Sequence, residues 1–135
     1  DLARLEAVHA MTDVTGFGLL GHLLGMMKAC DCTAVLDFAR IPIMAGVYDL
    51  AAAGMIPGGT RSNHSYPAPF VHYAEELTEI QQMIINDAQT SGGLLIAVEP
   101  TRSEALLNHL QQLEVSAVKI GSVQSREDTT FIQVR

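Results

Sequence analysis

The sequence predicts an α+β fold: a mixed, largely antiparallel sheet with helices packed mainly on one face. Three observations lead there. Helical and strand-like patterns alternate, as helix–strand–helix, a long loop, helix–strand–helix and two closing strands. Hydrophobic residues make up 48% of the 135, enough for one domain with a real core and too many for disorder. Aromatics are 5% and Trp is absent, so that core must be aliphatic.

Residues 1–10 read as an amphipathic lead-in, the end of a helix begun upstream. With no initiator Met before Asp1, the chain is expected to be a piece of a longer protein. Thr12 or Asp13 then supplies an N-cap-type residue for helical periodicity running to about Ala29. Leu19, Leu20, Leu23, Leu24, Met26 and Met27 form its apolar face, with Gly18, Gly21 and Gly25 opposite. Each interior glycine costs about 1 kcal/mol relative to alanine, so something must approach closely. The reading assigns helix packing to Gly21 and Gly25, and ligand clearance to Gly16 and Gly18 beside the acid and hydroxyls.

Residues 33–38 read as a strand, and 43–53 as a helix stopped by Gly54. The glycine- and proline-rich stretch 55–73 reads as an irregular loop, with Arg61, Asn63 and His64 as its ligand-contacting candidates. A helical pattern over 75–85 precedes Asp87-Ala88-Gln89-Thr90-Ser91-Gly92-Gly93, and 94–98 has the apolar run of a buried strand. Thr101 with Glu104 suggests a capping box for a helix to about Leu113. Strands at 117–123 and 129–134 close the chain around a polar turn.

Composition excludes several functions. A net charge of -7 argues against nucleic acid, whose phosphates select basic surfaces. It leaves room for a nucleotide if a cation supplies the missing charge. No apolar run reaches the roughly 18–20 residues of a membrane span, and no secretory signal is read at the start. Cys30 and Cys32 are too close to staple a fold and read as free thiols of a cytoplasmic protein, a Cys-x-Cys metal site being the minor alternative. Neither has an activating neighbour, no Ser-His-Asp order is evident, and no catalytic residue is assigned within the chain.

Two segments carry the chemistry. Thr12, Asp13, Thr15, Gly16 and Gly18 place a carboxylate and hydroxyls beside a glycine turn, and Asp87, Thr90, Ser91, Gly92 and Gly93 repeat the set. Asp13 is either a helix cap or a ligand to Mg²⁺, which takes one or two carboxylates and fills its shell with phosphate oxygens and water. Thr90 to Gly93 form either an anion nest or a plain turn. Gly16-x-Gly18-x-x-Gly21 also matches a dinucleotide fingerprint, with Asp37 about 20 residues on. The polar-broken run before the glycines, and an acid that would repel a pyrophosphate, count against a Rossmann module.

The stretch Thr12-Asp13-Val14-Thr15-Gly16-Phe17-Gly18-Leu19-Leu20-Gly21-His22 resembles the signature that opens the C-terminal domain of the selenophosphate synthetases (selenide, water dikinases). Residues 87–95 resemble that family's second signature, with Ala88 in place of the more usual Pro, and residues 58–63 its glycine–asparagine loop. The resemblance implies an aminoimidazole ribonucleotide synthetase-like C-terminal domain. It implies conversion of ATP, selenide and water to selenophosphate, AMP and orthophosphate with Mg²⁺, by a cytoplasmic homodimer. It makes Asp13 the metal ligand of this half, and Thr12, Thr15, Gly16, Gly18, Asn63, Asp87, Thr90, Ser91, Gly92 and Gly93 the nucleotide-facing wall. The family's nucleophilic Cys or Sec, its Lys and most nucleotide contacts belong to an N-terminal domain, so the chain alone is expected to be inactive. The remaining alternative is a structural or interaction domain without chemistry.

Overall fold

The structure is a computed structural model and describes residues 7–135. The expected lead-in helix therefore lies mostly outside the described residues; its last part, from Val8, belongs to a strand. Strand β1 (Val8–Asp13) pairs antiparallel with β4 (Leu94–Val98), setting Asp13 opposite Leu94 and Met11 opposite Ile96. A second sheet holds four strands in the order β3 (Val71–Tyr73), β6 (Ile132–Val134), β2 (Cys32–Leu36), β5 (Gly121–Ser125). There β2 runs antiparallel to β5 and parallel to β6, which is parallel to β3. The α+β class with mixed pairing is observed.

The expected N-cap at Thr12 or Asp13 is corrected. Helix α1 (Gly18–Cys30) starts five residues beyond Asp13, with Phe17 at the cap position and no side-chain cap bond. The partner that makes 8–13 a strand, β4, lies some eighty residues away, beyond the reach of local propensity. The apolar face is as expected: Leu20, Leu23, Leu24 and Met27 are buried with Leu36, Ile85, Ile132 and Val134 in one core, and Leu19 and Met26 pack at its edge. Helix α1 ends at Asp31, which adopts the left-handed conformation (φ 55°) while its N–H returns to the Met27 carbonyl. Arg126 holds that carboxylate at 2.6 Å and lies over the Phe131 ring.

Two further expectations change. The stretch 55–73 is not irregular: it contains helix α3 (Gly58–Ser65), a 3-10 turn (Ala68–Phe70) and β3. Glycines at the first two helical positions weaken α3, and its hold comes from tertiary contacts of Thr60 and Asn63. Helix α5 (Ser103–Gln112) lacks the expected Thr101 cap because Pro100 already starts a 3-10 turn that runs into the helix. The capping box belongs to Thr78 and Gln81 at the start of α4 (Glu79–Ile85). Helix α2 (Val47–Ala52) is shorter than expected, because Gly46 precedes it at φ 84°. Strand β4 is half-exposed rather than buried, since β1 alone pairs with it. The closing strands β5 and β6 flank β2 on opposite sides.

The dinucleotide alternative loses its frame. A strand does precede the glycines, but β1 and β2, on either side of α1, lie in different sheets. A Rossmann crossover needs both in one parallel sheet.

Candidate functional site

Asn63 joins the two glycine-bearing segments. Its side-chain amide donates to the Gly16 carbonyl at 2.8 Å and to the Asn86 carbonyl at 3.1 Å. One turn earlier on the same face of α3, the buried Thr60 hydroxyl donates to Asp87 Oδ1. The main chain adds direct ties: Gln89 N–H donates to the Thr15 carbonyl at 3.0 Å, and Val14 N–H to the Gly93 carbonyl at 2.9 Å. Three stretches far apart in sequence thus form one wall.

The glycines show why the fit is close. A Cβ on Gly18 (φ 69°) would stand 2.5 Å from the Asn86 carbonyl oxygen, and one on Gly92 would stand 1.8 Å from that of Val14. Backbone approach accounts for both. Gly16 and Gly93 are exposed with open space before them, and so is Gly25, for which packing was expected. At Gly21 the close neighbour is the Phe17 side chain, at 2.8 Å from a Cβ.

Beneath the wall, Asn86 is fully buried. Its Nδ2 donates to the Gln82 carbonyl at 2.8 Å and to the Tyr73 hydroxyl at 2.9 Å, while Oδ1 has no partner among the described residues. Burial pushes the Tyr73 phenol above its ordinary pKa, opposed by the Asn86 hydrogen bond. His64, a candidate ligand contact, turns to Gln82 (3.2 Å) and stacks on Tyr73. Arg61 is exposed on α3.

On the outer side, Asp13 is exposed at the end of β1, and the Thr12 hydroxyl contacts its carbonyl at 3.1 Å and its Oδ1 at 3.4 Å. The Thr15 N–H donates to His22 Nε2 at 3.0 Å, leaving the ring proton of a neutral His22 on Nδ1. Thr90 and Ser91 are exposed, and the N–H groups of residues 90–92 donate to no backbone carbonyl among the described residues. No group of three His, Cys, Asp or Glu side chains that could hold a metal forms among the described residues. Asp13 is the exposed carboxylate of this wall, and it fits a hard cation only if phosphate, water and other protein groups complete the shell. Cys30 and Cys32 are both free thiols, and no described helix is long and apolar enough to cross a membrane.

Four residues of this wall escaped the sequence reading as site members: His22, Thr60, Asn86 and Gln89. Only one had a legible signal. Thr60 and Asn63 stand three apart, the spacing that puts two side chains on one helix face.

Comparison with known proteins follows the same lines. The family model described as AIR synthase related protein, C-terminal domain, matches residues 1–133. The selenide, water dikinase of Myxococcus xanthus (strain DK1622) is 48% identical over 118 residues, which are 87% of this chain and 34% of that protein. The protein of the same name from Shewanella baltica (strain OS155 / ATCC BAA-1091) is 40% identical over 133 residues, 98% of this chain and 36% of that protein. The chain thus spans about a third of the length of the curated relatives it matches. Among solved structures, E. coli HypE, a hydrogenase maturation protein, superposes with a TM-score of 0.66 at 21% identity, over 98% of this chain and 33% of that one. Thiamine-monophosphate kinase from Stenotrophomonas maltophilia K279a gives 0.61 at 16% identity, over 95% and 31%. These two likenesses concern the fold.

Proposed function

The chain belongs to the AIR synthase related protein C-terminal domain family, and from that premise we propose that it is the C-terminal domain of a selenide, water dikinase. The observation that carries the reading is identity of 40–48% to proteins of that name across nearly the whole chain. In this reading the parent enzyme, a cytoplasmic homodimer, converts ATP, selenide and water to selenophosphate, AMP and orthophosphate. The chain supplies one wall of the nucleotide cleft.

Asp13 is the residue that would hold Mg²⁺ from this side, and the metal, when bound, would neutralise phosphate charge. The remaining work falls to the chain's own groups. Asn63 and Thr60 hold the Gly16 and Asp87 turns at a set spacing, so the wall needs no reorganisation when a phosphate approaches. Thr90 and Ser91 are exposed, and they and the N–H groups of residues 90–92, which donate to no backbone carbonyl among the described residues, can donate to phosphate oxygens. His22 anchors the Thr15 turn directly after Asp13. Phosphoryl transfer asks of a protein chiefly such positioning and electrostatics.

The test is selenide-dependent ATP consumption by the full-length parent. Asp13→Asn should lower it at least about a hundredfold, on the scale of losing one group that stabilises transition-state charge. Full activity in that variant, or ATP consumption indifferent to selenide, would sink the assignment.

A further inference from the structure

The hydroxyls of the wall are not chemically equivalent. Thr15 is fixed at every polar group it carries. Its carbonyl accepts from the Gly18 N–H and from the Gln89 N–H, both at 3.0 Å. Its N–H donates to His22 Nε2 at 3.0 Å, and its Oγ1 lies 3.1 Å from the same nitrogen. Because Nε2 receives the N–H, it carries no proton of its own, so the hydroxyl must donate to it. The Thr15 hydroxyl proton is thereby committed to the ring, and the oxygen has only lone pairs left to offer. The exposed Thr90 and Ser91 carry no such commitment among the described residues and keep their protons for a phosphate.

Thr15 is also aligned with Asp13. The ladder between β1 and β4 sets Asp13 opposite Leu94 and continues to the bond from Val14 N–H to the Gly93 carbonyl at 2.9 Å. Side chains alternate along such an extended stretch. Val14 is buried, while Asp13 and Thr15 on either side of it are exposed. The carboxylate and the hydroxyl therefore leave the same side of the chain, from Cα atoms about 7 Å apart. Alternate residues converge on one cation in the same way at positions 1, 3 and 5 of an EF-hand loop.

We propose that the Thr15 hydroxyl oxygen is a second ligand, beside Asp13, to the hard cation of this wall, and that His22 is the positioning residue that leaves its lone pairs free. That role rests on the proposed function, in which Asp13 faces Mg²⁺. It takes Thr15 out of the phosphate-donating set and places it in the metal-binding one. A hydroxyl whose proton is held elsewhere is a neutral, hard oxygen donor, the type that joins an acid on Mg²⁺ in P-loop enzymes. The backbone bonds on both sides of Thr15 hold that oxygen in place before any cation arrives.

Calorimetric titration of the full-length parent with Mn²⁺, in the presence of a methylene-bridged ATP analogue and without selenide, tests this. Thr15→Val keeps the side-chain shape and the N–H but removes the oxygen. It should weaken Mn²⁺ binding at least about tenfold, the lower end of what partners in a metal site are worth. Asp13→Asn should weaken it at least as much. Thr15→Ser, which keeps the hydroxyl, should bind Mn²⁺ nearly as the parent does. His22→Leu should weaken binding alone and add nothing in the Thr15→Val background, since it acts through the hydroxyl. Undiminished affinity in Thr15→Val beside a loss in Asp13→Asn would overturn the proposal and leave the reading of Asp13 standing. Undiminished affinity in both variants would remove that reading and the proposal with it. Equal losses in Thr15→Ser and Thr15→Val, or additive losses from Thr15→Val and His22→Leu, would also overturn it.

Discussion

Asn63 donates to the Gly16 carbonyl at 2.8 Å across forty-seven residues of sequence, and the same amide reaches the Asn86 carbonyl at 3.1 Å. One side chain therefore sets the distance between the turn that follows Asp13 and the turn that carries Asp87. Removing it separates folding from function in a readable way.

Asn63→Ala leaves two carbonyls without this donor. An orphaned, partly buried acceptor costs about 1–3 kcal/mol, so the urea midpoint should fall by an amount worth roughly 2 kcal/mol. Asn63→Asp should be worse, since a carboxylate would face two carbonyl oxygens. A midpoint unchanged in both variants would show that the bridge carries no stability.

Gly18 and Gly25 lie on the same helix and should respond oppositely to alanine. At Gly18 the new Cβ meets the Asn86 carbonyl at 2.5 Å on a φ of 69°, so Gly18→Ala should cost at least about 2 kcal/mol. Gly25 is exposed with nothing within 4 Å, so Gly25→Ala should stabilise the chain by about 0.5–1 kcal/mol. Thermal or urea unfolding of the pair checks both signs at once.

Asp13 caps no helix and is exposed, so Asp13→Asn should shift chain stability by less than about 0.5 kcal/mol, the scale of ordinary surface changes. A loss near 1 kcal/mol in urea unfolding would restore a capping role. Set beside the activity test in the parent enzyme, a stable but inactive variant marks a chemical rather than a structural function.

Tyr73 predicts an alkaline limit. Its phenol is raised above the ordinary tyrosine value, chiefly by burial, so the folded chain resists ionisation that the unfolded chain allows. For a raised pKa, the stabilisation is complete below the unfolded value and is lost as pH rises from about 10 through the folded one. Tyr73→Phe should remove that part of the alkaline decline. It should also cost about 1 kcal/mol at neutral pH, because Asn86 Nδ2 loses an acceptor in a site where Oδ1 is already unpartnered. An alkaline stability profile identical in the two chains would contradict the burial argument.

By itself, the sequence determined the fold class and the aliphatic core, and it singled out the two acid–hydroxyl–glycine segments that the structure brings together. Leu20, Leu23, Leu24 and Met27 declared their face through a period that any helix must obey, and the acid–hydroxyl–glycine runs declared theirs through composition. Such signals are local, carried by neighbours within a turn or two. The tertiary structure decided what those signals could not contain. Residues 8–13 are a strand because β4 lies beside them, and the glycine-rich 58–65 is a helix while Thr60 and Asn63 have distant partners to hold. Gly18 and Gly92 are explained by carbonyls more than sixty residues away. In each case the deciding energy is a contact between segments remote in sequence, which no window along the chain can hold.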